Sequence, residues 1–436
     1  MFKFTIACLG AVASANLAGD TEFESLGQVD FKLASYISIG KFGDEDLLLA
    51  AEFTGNPLAN GSVSLTKGIK EGVINGNVGD LKAVTLDSSP YTLQSPNRAQ
   101  FVPADVFPEE NVIMVPDGFL IPGHRNGGVY LMVQDKDDVT KTTKTVRITK
   151  EKKDNWFHSG HWVDMNGDGL KDILIARSNG EAGGGKLLWL ENPGDAALDG
   201  GEWTQHHIVD GPDVFTSIDF LPQYPGEVIV WASQYFDEAL GVYRVSLTDG
   251  SLVDKRIIDD TEIKHAYAAE LVDLNGDGKK QLLANNWEKK GNGVWAYTVP
   301  DDLINGTFEK FTIATDFDIS WKYALFTIGG PGYHYIFYPD LEDKSGRAHI
   351  LLCGHGDQRA YLLTPTGDSE KFEYERHEIK NFGAVLGGMA LSDFDGDGHP
   401  EVWMAAYEKG YIEAFKTSPD SQEFFQEWSS GYTFLQ

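Results

Sequence analysis

The chain has 436 residues, of which 42% are hydrophobic and 12% aromatic, and its formal net charge is -30. This length and hydrophobic content exclude a largely disordered chain and allow one large domain or two ordinary ones. The negative charge argues against binding to nucleic acid or to an anionic membrane surface, because phosphate groups are bound by clustered Lys and Arg.

The N-terminal segment has the pattern of a secretory signal. Lys3 precedes an apolar run from Phe4 to Val12, and Ala13-Ser14-Ala15 fits a cleavage site. We therefore expect residues 1–15 to be a signal peptide and the protein to be secreted into the extracellular space. Beyond this segment no apolar run approaches the roughly 18 residues of a membrane-spanning helix, so we expect no membrane span.

Export also bears on the cysteines and on two asparagines. Signal cleavage removes Cys8 and leaves Cys353 as the only thiol, so the mature chain cannot form an intramolecular disulfide. Bound cations are the expected substitute for that covalent support. Asn60 and Asn305 lie in glycosylation triplets, which predicts a glycoprotein if the host is a eukaryote.

The first strands of the mature chain are weakly marked. Residues 36–53 contain two apolar runs around a degenerate acidic loop at 43–46, and residues 111–133 contain two more around a tight turn at Asp117-Gly118. The next segment shows the full pattern of one unit. An apolar strand ends at Val163, and an acidic loop, a second apolar strand, a Gly-rich turn and two further strands follow it.

This unit recurs with a regular period. The first loop acids lie at intervals of 55, 54, 67 and 53 residues, at Asp164, Asp219, Asp273, Asp340 and Asp393. A period of this length indicates repeated structural units, and four antiparallel strands per unit are typical of a propeller blade. The fold class predicted is all-β, a seven-bladed β-propeller of four-stranded antiparallel blades, formed by residues 16–436 as a single domain. The blades are expected at about 31–90, 91–150, 156–210, 212–260, 264–316, 321–380 and 383–430. Two separate sandwich domains are the rival prediction.

Three of the acidic loops, at 164–172, 273–281 and 393–401, have the spacing of a cation site. Side-chain oxygens recur at loop positions 1, 3, 5 and 9, a backbone carbonyl is available at position 7, and glycines allow the sharp turn. This pattern suits a hard cation such as Ca²⁺. Short apolar runs follow each loop, so the loops join strands and are not EF-hands.

These loops resemble the FG-GAP/VCBS repeat family of calcium-stabilised propellers, which occur in integrin heads and in many secreted carbohydrate-active proteins. The resemblance implies two to three structural Ca²⁺ sites. Their ligands would be Asp164, Asn166, Asp168, Leu170 and Asp172; Asp273, Asn275, Asp277 and Lys279; and Asp393, Asp395, Asp397, His399 and Glu401, with Leu170, Lys279 and His399 contributing backbone carbonyls. Gln281 replaces the ninth-position acid of the second loop, so that site is expected to bind more weakly.

Two other loops have lost the ligand pattern. The loop at 219–223 lacks the ligands, and the loop at 340–344 places Lys344 where a ligand should be. We therefore expect both to be metal-free, with Lys344 replacing the cation by pairing with Asp340 and Glu342.

Blade topology predicts where a functional site would lie. The metal loops join the first and second strands of a blade, so residues that precede the first strand or follow the second strand should meet around the axis on the opposite face. One ring of such residues reads Asn111, His158, Asp213, Tyr267, His334 and Gly387. The other reads Glu52, His124, Arg125, Arg177, Gln234, Tyr235, Asn286, Trp287, His355, Asp357, Tyr407 and Glu408. These residue types supply acids, bases, stacking surfaces and anion-binding groups.

The residue types of this mouth are also similar to those of propeller-type polysaccharide lyases, including ulvan lyases and the fungal rhamnose-glucuronate lyase, and of the propeller domain of aldos-2-ulose dehydratase. This similarity implies β-elimination on a uronate-containing or keto sugar, with an acidic or rhamnose-containing polysaccharide as partner and a monomeric enzyme. Arg125 or Arg177 would hold a carboxylate, His124 or His158 would take the proton, and the leaving group would be protonated by Tyr235, Tyr267 or a second histidine, His334 or His355. Substrate contacts are expected from Trp287, Asn286, Asp213 and Tyr407.

Two other functions and one other kind of site stay open. A non-catalytic carbohydrate- or protein-binding propeller would need the same mouth without turnover. A glycoside hydrolase could use Asp213, Asp357 and Glu408. The histidines from separate blades, His124, His158, His334 and His355, could instead hold a transition metal on the axis.

Overall fold

The computed structural model describes residues 15–419 apart from 57, 120–125, 151–154, 320–321, 324–325, 328 and 345. Within this range the chain forms seven antiparallel sheets arranged as the blades of a β-propeller. The all-β, seven-bladed prediction is therefore confirmed. The predicted signal peptide lies outside the described residues except for Ala15, and His124 and Arg125 lie outside them as well.

The strands follow one another blade by blade. An N-terminal hairpin consists of β1 (Ala15–Ala18) and β2 (Thr21–Asp30). Blade 1 consists of β3 (Ala34–Phe42), β4 (Glu45–Glu52), β5 (Ser62–Lys67) and β6 (Val84–Thr85), with helix α1 (Ile69–Ile74) before its last strand. Blade 2 consists of β7 (Gln100–Phe101), β8 (Asn111–Pro116), β9 (Val129–Gln134) and β10 (Thr142–Arg147). Blade 3 consists of β11 (Trp156–Val163), β12 (Asp172–Ser178), β13 (Lys186–Glu191) and β14 (Thr204–Asp210).

The second half of the ring is built in the same way. Blade 4 consists of β15 (Phe215–Asp219), β16 (Glu227–Gln234), β17 (Ala239–Ser246) and β18 (Leu252–Asp259). Blade 5 consists of β19 (Ala266–Val272), β20 (Gln281–Asn286), β21 (Gly293–Thr298) and β22 (Lys310–Thr315), and a short hairpin of β23 (Lys322–Tyr323) and β24 (Phe326–Thr327) follows it. Blade 6 consists of β25 (His334–Phe337), β26 (His349–Cys353), β27 (Arg359–Pro365) and β28 (Tyr374–Asn381). Blade 7 begins with β29 (Leu386–Ser392), β30 (Glu401–Ala406) and β31 (Tyr411–Pro419). Short 3-10 helices lie at Gly194–Ala196, His355–Asp357, Ser369–Lys371 and Tyr407–Lys409.

The core of the molecule lies between blades. Strand β4 is buried at seven of its eight positions, whereas the outer strand β18 is exposed or half-buried at most of its positions. One apolar cluster joins Leu49 of blade 1 to Ile113 and Met132 of blade 2, and most of the other clusters join neighbouring blades in the same way. One further cluster, which includes Tyr36 and Tyr267, brings together residues of blades that are not neighbours. Because inner strands are covered on both faces, their sequences are continuous apolar runs and do not alternate.

The ring is closed by the N-terminal hairpin. Strand β2 pairs antiparallel with β31, from Thr21 opposite Pro419 to Asp30 opposite Tyr411, and so becomes the outer strand of blade 7. Strand β1 then adds a fifth strand at the edge. Blade 7 is therefore assembled from both ends of the described chain, a scheme that the repeat pattern left undecided.

Blade 2 differs from the prediction. Its innermost strand is the two-residue β7, and the strand that begins at Asn111 is the second strand of the blade. Asn111 therefore lies at the metal-loop end of its strand and not in the ring of residues that precede first strands. In addition, the hairpin of β23 and β24 accounts for the single long interval of 67 residues between loop acids.

No described helix is both long enough and apolar enough to cross a membrane.

Candidate functional site

A pocket with a volume of about 210 Å³ opens around the axis, on the face opposite the acidic loops. Within the part of the chain that the structure describes, every blade except the third contributes to it, mainly through residues close to the start of the first strand or just after the second. The lining residues are Ser35, Tyr36, Phe53, Gly55, Asn97, Phe119, Val214, Phe215, Tyr235, Phe236, Tyr267, Trp287, His355, Val385, Gly387, Tyr407 and Glu408. Nine of these 17 residues are Phe, Tyr or Trp, so the pocket is an aromatic cage with a few polar groups.

The floor of the pocket is formed by two tyrosines that come from blades 1 and 5. The hydroxyl of Tyr36 donates to the hydroxyl of Tyr267 across 3.0 Å, and both side chains are buried. Burial raises the pKa of each phenol well above its ordinary value, and so both remain neutral hydrogen-bonding groups. The floor thus offers hydroxyl groups without charge.

His158 lies immediately behind this floor. Its imidazole is fully buried, its ring centre is 4.4 Å from that of Phe215, and its Nε2 lies 2.7 Å from Oδ1 of Asn97. Burial is the main cause that lowers the pKa of His158 well below its ordinary value, and the nearby positive charge of Arg98 adds to it. The side chain is therefore a neutral support of the floor, and only its partner Asn97 reaches the pocket.

One wall of the pocket is made by Trp287 and His355. The indole Nε1 donates to Nδ1 of His355 across 2.7 Å. Because an indole N–H can only donate, Nδ1 must accept, and the neutral imidazole then carries its proton on Nε2. Burial lowers the pKa of His355 to about 4. At neutral pH this residue therefore presents a neutral ring whose remaining polar atom is an N–H donor.

A further part of the lining comes from the end of the second strand of blade 7. The hydroxyl of Tyr407 donates to the carbonyl of Phe53 across 2.8 Å, which leaves the ring of Tyr407 as the exposed surface. Glu408 accepts the backbone N–H of Val385 at 2.7 Å, and partial burial raises the pKa of its carboxyl. Among the described lining residues, Glu408 is the one ionisable carboxyl, and none is a Lys or Arg.

The structure brings together several residues that the sequence predicted for this site. Tyr235, Tyr267, Trp287, His355 and Tyr407 all line the pocket. Their convergence follows the topological rule, because Tyr267 lies at the start of the first strand of its blade and each of the others follows the second strand.

Two predicted substrate contacts lie elsewhere. Asp213 is buried and accepts the backbone N–H groups of Tyr235, Phe236 and Asp237, so it holds the loop that carries two pocket aromatics. Asn286 is also fully buried, and its amide bonds to the backbone of Gly291 and Gly293. The polar atoms of both side chains form hydrogen bonds with the backbone of adjacent turns, because buried polar groups need partners.

Two predicted catalytic residues also fail to reach the pocket. His334 is fully buried, with Nδ1 2.9 Å from Oδ1 of Asn285 and Nε2 3.3 Å from a carboxylate oxygen of Glu270. Arg177 belongs to blade 3, which contributes none of the described lining residues, and burial lowers its pKa despite the opposing influence of Asp210. The histidines described are therefore dispersed, and they form no axial metal-binding group.

Several pocket residues were missed by the sequence reasoning. Phe53 and Phe119 follow second strands just as Trp287 does, and the recurrence of aromatic residues at that position was the signal that could have found them. Asn97 was missed because the first strand of blade 2 was placed too late. The same error hid Arg98, whose guanidinium lies 5.6 Å from the ring centre of Tyr36 and 5.8 Å from that of Tyr333.

The three acidic loops share one backbone design on the opposite face. In loop 164–172 the carboxylate of Asp164 accepts the N–H groups of Gly167 and Gly169, both of which have positive φ. The first acids of loops 273–281 and 393–401 accept the corresponding glycine N–H groups. The glycines let the loop curl so that the carboxylate oxygens collect on its inner side.

The three loops differ in the residue at their ninth position and in its hydrogen bonds. Asp172 accepts backbone N–H groups with both oxygens, whereas Gln281 is fixed by its amide. Glu401 is fully buried, its Oε2 accepts one N–H, and its Oε1 has no hydrogen-bond partner. Asp393, Asp395 and Glu401 each place an oxygen within 4.8 Å of the others, the one such group among the residues described. This donor set fits a hard cation.

In loop 340–344 the ammonium of Lys344 lies 6.0 Å from the ring centre of Tyr338. It forms no ion pair with Asp340 or Glu342 at any distance up to 4.0 Å, so the predicted replacement of a cation by Lys344 is wrong within the described part of the loop.

Comparison with known proteins supports the fold. No protein-family model matches the chain, and no curated protein matches it. Among solved structures, Kuenenia stuttgartiensis hydrazine synthase matches with a TM-score of 0.51 and 13% identity over 90% of this chain and 97% of that chain. A periplasmic gluconolactonase from Pseudomonas aeruginosa matches with a TM-score of 0.50 and 10% identity over 80% and 86%. Identities this low establish a shared fold and not a shared activity, so the FG-GAP/VCBS resemblance stays a prediction from the loops.

Proposed function

We propose that the chain is a secreted, calcium-stabilised, carbohydrate-active propeller that acts as a β-eliminating lyase on a sugar ring bound in the axial pocket. The observation that carries this proposal is the pocket itself, a single asymmetric aromatic cage with one carboxyl group. A multivalent lectin would repeat one pocket in each blade, whereas this pocket draws different residues from six blades. Aromatic walls suit the apolar C–H faces of a sugar ring.

The charge of the lining favours a keto sugar over a uronate. Within the described part of the pocket, no Lys or Arg is available to hold a carboxylate, and Glu408 would repel one. A ketone needs only a hydrogen-bond donor, and the Nε2–H of His355 is such a donor. The hydroxyl of Tyr267 adds one further donor without charge, since Tyr36 donates its own O–H to that hydroxyl.

Elimination next to a ketone then has a residue for each role. The carboxylate of Glu408 would take the acidic C–H proton, and the electron pair would move into the new double bond as charge builds on the carbonyl oxygen. His355 would stabilise that oxygen, and as the carbonyl re-forms, the bond from the β-carbon to the departing oxygen would break, with that oxygen taking a proton from Tyr267. A half-buried carboxyl with a raised pKa is a stronger base than an exposed one, which suits this role.

Calcium is proposed as a structural ion on the other face. Loop 393–401 would hold it through Asp393, Asp395 and Glu401, and the buried free oxygen of Glu401 supports this assignment. The ion would supply charge neutralisation for carboxylates that the loop crowds together, and it has no role at the pocket.

The alternative is a binding propeller without turnover. It is favoured by one specific observation, namely that the hydroxyl of Tyr407 and the two floor hydroxyls already have partners within the protein. Binding would then rest mainly on stacking, with the Nε2–H of His355 as a hydrogen-bond donor.

The deciding experiment is incubation of the purified chain with neutral, keto and uronate glycans while the ultraviolet absorbance of the conjugated product is followed. Wild type should produce it from a keto sugar, Glu408→Gln should bind the sugar without turnover, and Trp287→Ala should lose binding. Binding of a glycan by wild type without any product would establish the binding propeller instead. Neither binding nor product across all three classes would refute both functions.

A further inference from the structure

A lysine side chain, that of Lys416, forms ion pairs with the acidic loop of blade 7. The ammonium of Lys416 lies 2.8 Å from Oδ2 of Asp397 and forms an even closer ion pair with Asp395. Lys416 belongs to β31, the third strand of blade 7, and the aliphatic part of its side chain spans the distance back to the loop between the first and second strands. Two of the side-chain ligands expected for calcium thus already share one ammonium group of the protein.

The position of this lysine is specific to blade 7. In the register of the sheet Val402 lies opposite Phe415, so Lys416 is the neighbour of Glu401, the ninth residue of the loop. The residue at the same place in blade 5 is Thr298, opposite Gln281. In blade 3 it is Glu191, because Leu190 lies opposite Ile173. Among the described residues, no ammonium pairs with an expected ligand of loop 164–172 or loop 273–281.

The loop also contains a buried carboxylate oxygen that Lys416 does not contact. Glu401 is fully buried and its Oε1 has no hydrogen-bond partner, although it lies close to oxygens of Asp393 and Asp395. Lys416 pairs with Asp395 and Asp397 but not with Glu401. A buried carboxylate oxygen without a donor is costly, and a cation among the three residues would satisfy it. The loop therefore has both a free ligand for an ion and a competitor for that ion.

We propose that Lys416 is a tethered competitor of the divalent cation at loop 393–401 and makes this loop the last of the three to bind calcium. The loop has the most acidic ligand set of the three, so the sequence alone ranks it first. An incoming ion must displace an ammonium that is held at high effective concentration by its own strand. Lys416 thereby stabilises the apo loop and weakens its hold on the ion.

The test is a calcium titration of the full chain by isothermal calorimetry, in a background carrying Asp164→Asn and Asp273→Asn to silence the other two loops. Lys416→Thr copies the residue that blade 5 carries at this position and suits a strand. It should tighten calcium binding at least tenfold, and Lys416→Met should do the same. Lys409→Met, an exposed lysine on the same blade, is the matched control and should change nothing.

Three outcomes would overturn the proposal. The first is unchanged affinity in both Lys416 variants, and the second is an equal gain in Lys409→Met. The third is a gain that survives the addition of Asp393→Asn, because the tightened site would then lie elsewhere. Circular dichroism of each variant confirms folding. Since no sugar is used, the result is independent of whether the pocket is catalytic.

Discussion

The indole nitrogen of Trp287 donates a hydrogen bond to Nδ1 of His355 across 2.7 Å, and this bond fixes the protonation state of the pocket wall. It stabilises the neutral imidazole with its proton on Nε2, because protonation of Nδ1 would break the bond. The wall can therefore donate a hydrogen bond to a ligand but cannot act as a base.

Replacement of Trp287 should raise the pKa of His355. Trp287→Phe keeps an aromatic wall and the burial of His355 but removes the donor that favours the neutral ring, so the pKa of His355 should rise above its value of about 4. Titration of the His355 ring signals by NMR measures this change. Trp189→Phe is the control, since Trp189 stacks on His206 away from the pocket. An unaltered titration of His355 in the Trp287 variant would contradict the assigned bond.

Stability should depend on these buried histidines in mildly acidic solution. Burial lowers the pKa values of His161 and His355 to about 4, so both stay neutral in the folded protein while the unfolded chain binds protons below about 6.5. Their contribution is complete above pH about 6.5 and is lost as the pH falls toward 4. Each is of the order of 3 kcal/mol at most.

Urea unfolding at several pH values measures this dependence. Asp213, whose pKa is raised by burial to about 7, acts in the opposite direction, since its contribution is lost as the pH rises through that value. Asp213 is present in both wild type and His355→Gln, so its contribution to the pH dependence cancels when the two proteins are compared. The variant should lose less stability than wild type between pH about 6.5 and 4. Equal losses in the two proteins would show that His355 is not a neutral group in the native pocket.

Closure of the ring should depend on one phenyl ring of β2. Phe23 is fully buried, and its ring centre lies 6.2 Å from that of Phe337 and 6.4 Å from that of Phe415. Phe23→Ala should lower the free energy of unfolding by about 3–5 kcal/mol. Leu17→Ala, at a side chain that is 53% exposed, should change it by less than about 0.5 kcal/mol. Similar small effects in both variants would mean that β2 contributes little to closure.

Divalent ions should stabilise the face that carries the acidic loops. Chelation should lower the melting temperature of the full chain, because it leaves clustered carboxylates without a counter-ion. Gln281→Asp restores the ninth-position acid of loop 273–281 and should enlarge the shift that calcium produces. Gln94→Glu, an acid added away from the loops, controls for the added charge. Melting that is insensitive to both chelator and calcium would refute the metal sites.

Much of the ring could be predicted because its signals are local. Acidic loops at a fixed period mark the joint between first and second strands, and this joint fixes which residues face the axis. Tyr235, Trp287, His355 and Tyr407 were found in this way. The rule failed in blade 2, because β7 has only two residues and its sequence shows no periodicity.

The direction in which each side chain points was the other feature that could not be predicted from the sequence. Asp213 and Asn286 occupy the predicted ends of strands, yet their polar atoms bond to the turns beside them. A sequence gives the position of such a residue along a strand but not the partner that burial will require. The apolar half of the site was overlooked for a related reason: Phe53 and Phe119 carry no chemistry of their own, and their value is evident only when six blades place such rings around one space.

The pairing of β2 with β31 also has a consequence for synthesis of the chain. Residues 21–30 leave the ribosome early, but their partner at 411–419 follows almost 400 residues later. Throughout that interval the edge of β2 has unpaired backbone groups that could recruit strands of other nascent chains. The half-buried Glu22 and the exposed Glu24 and Asp30 supply repelling charges along this waiting edge, which favours the correct late partner over a neighbour on the polysome.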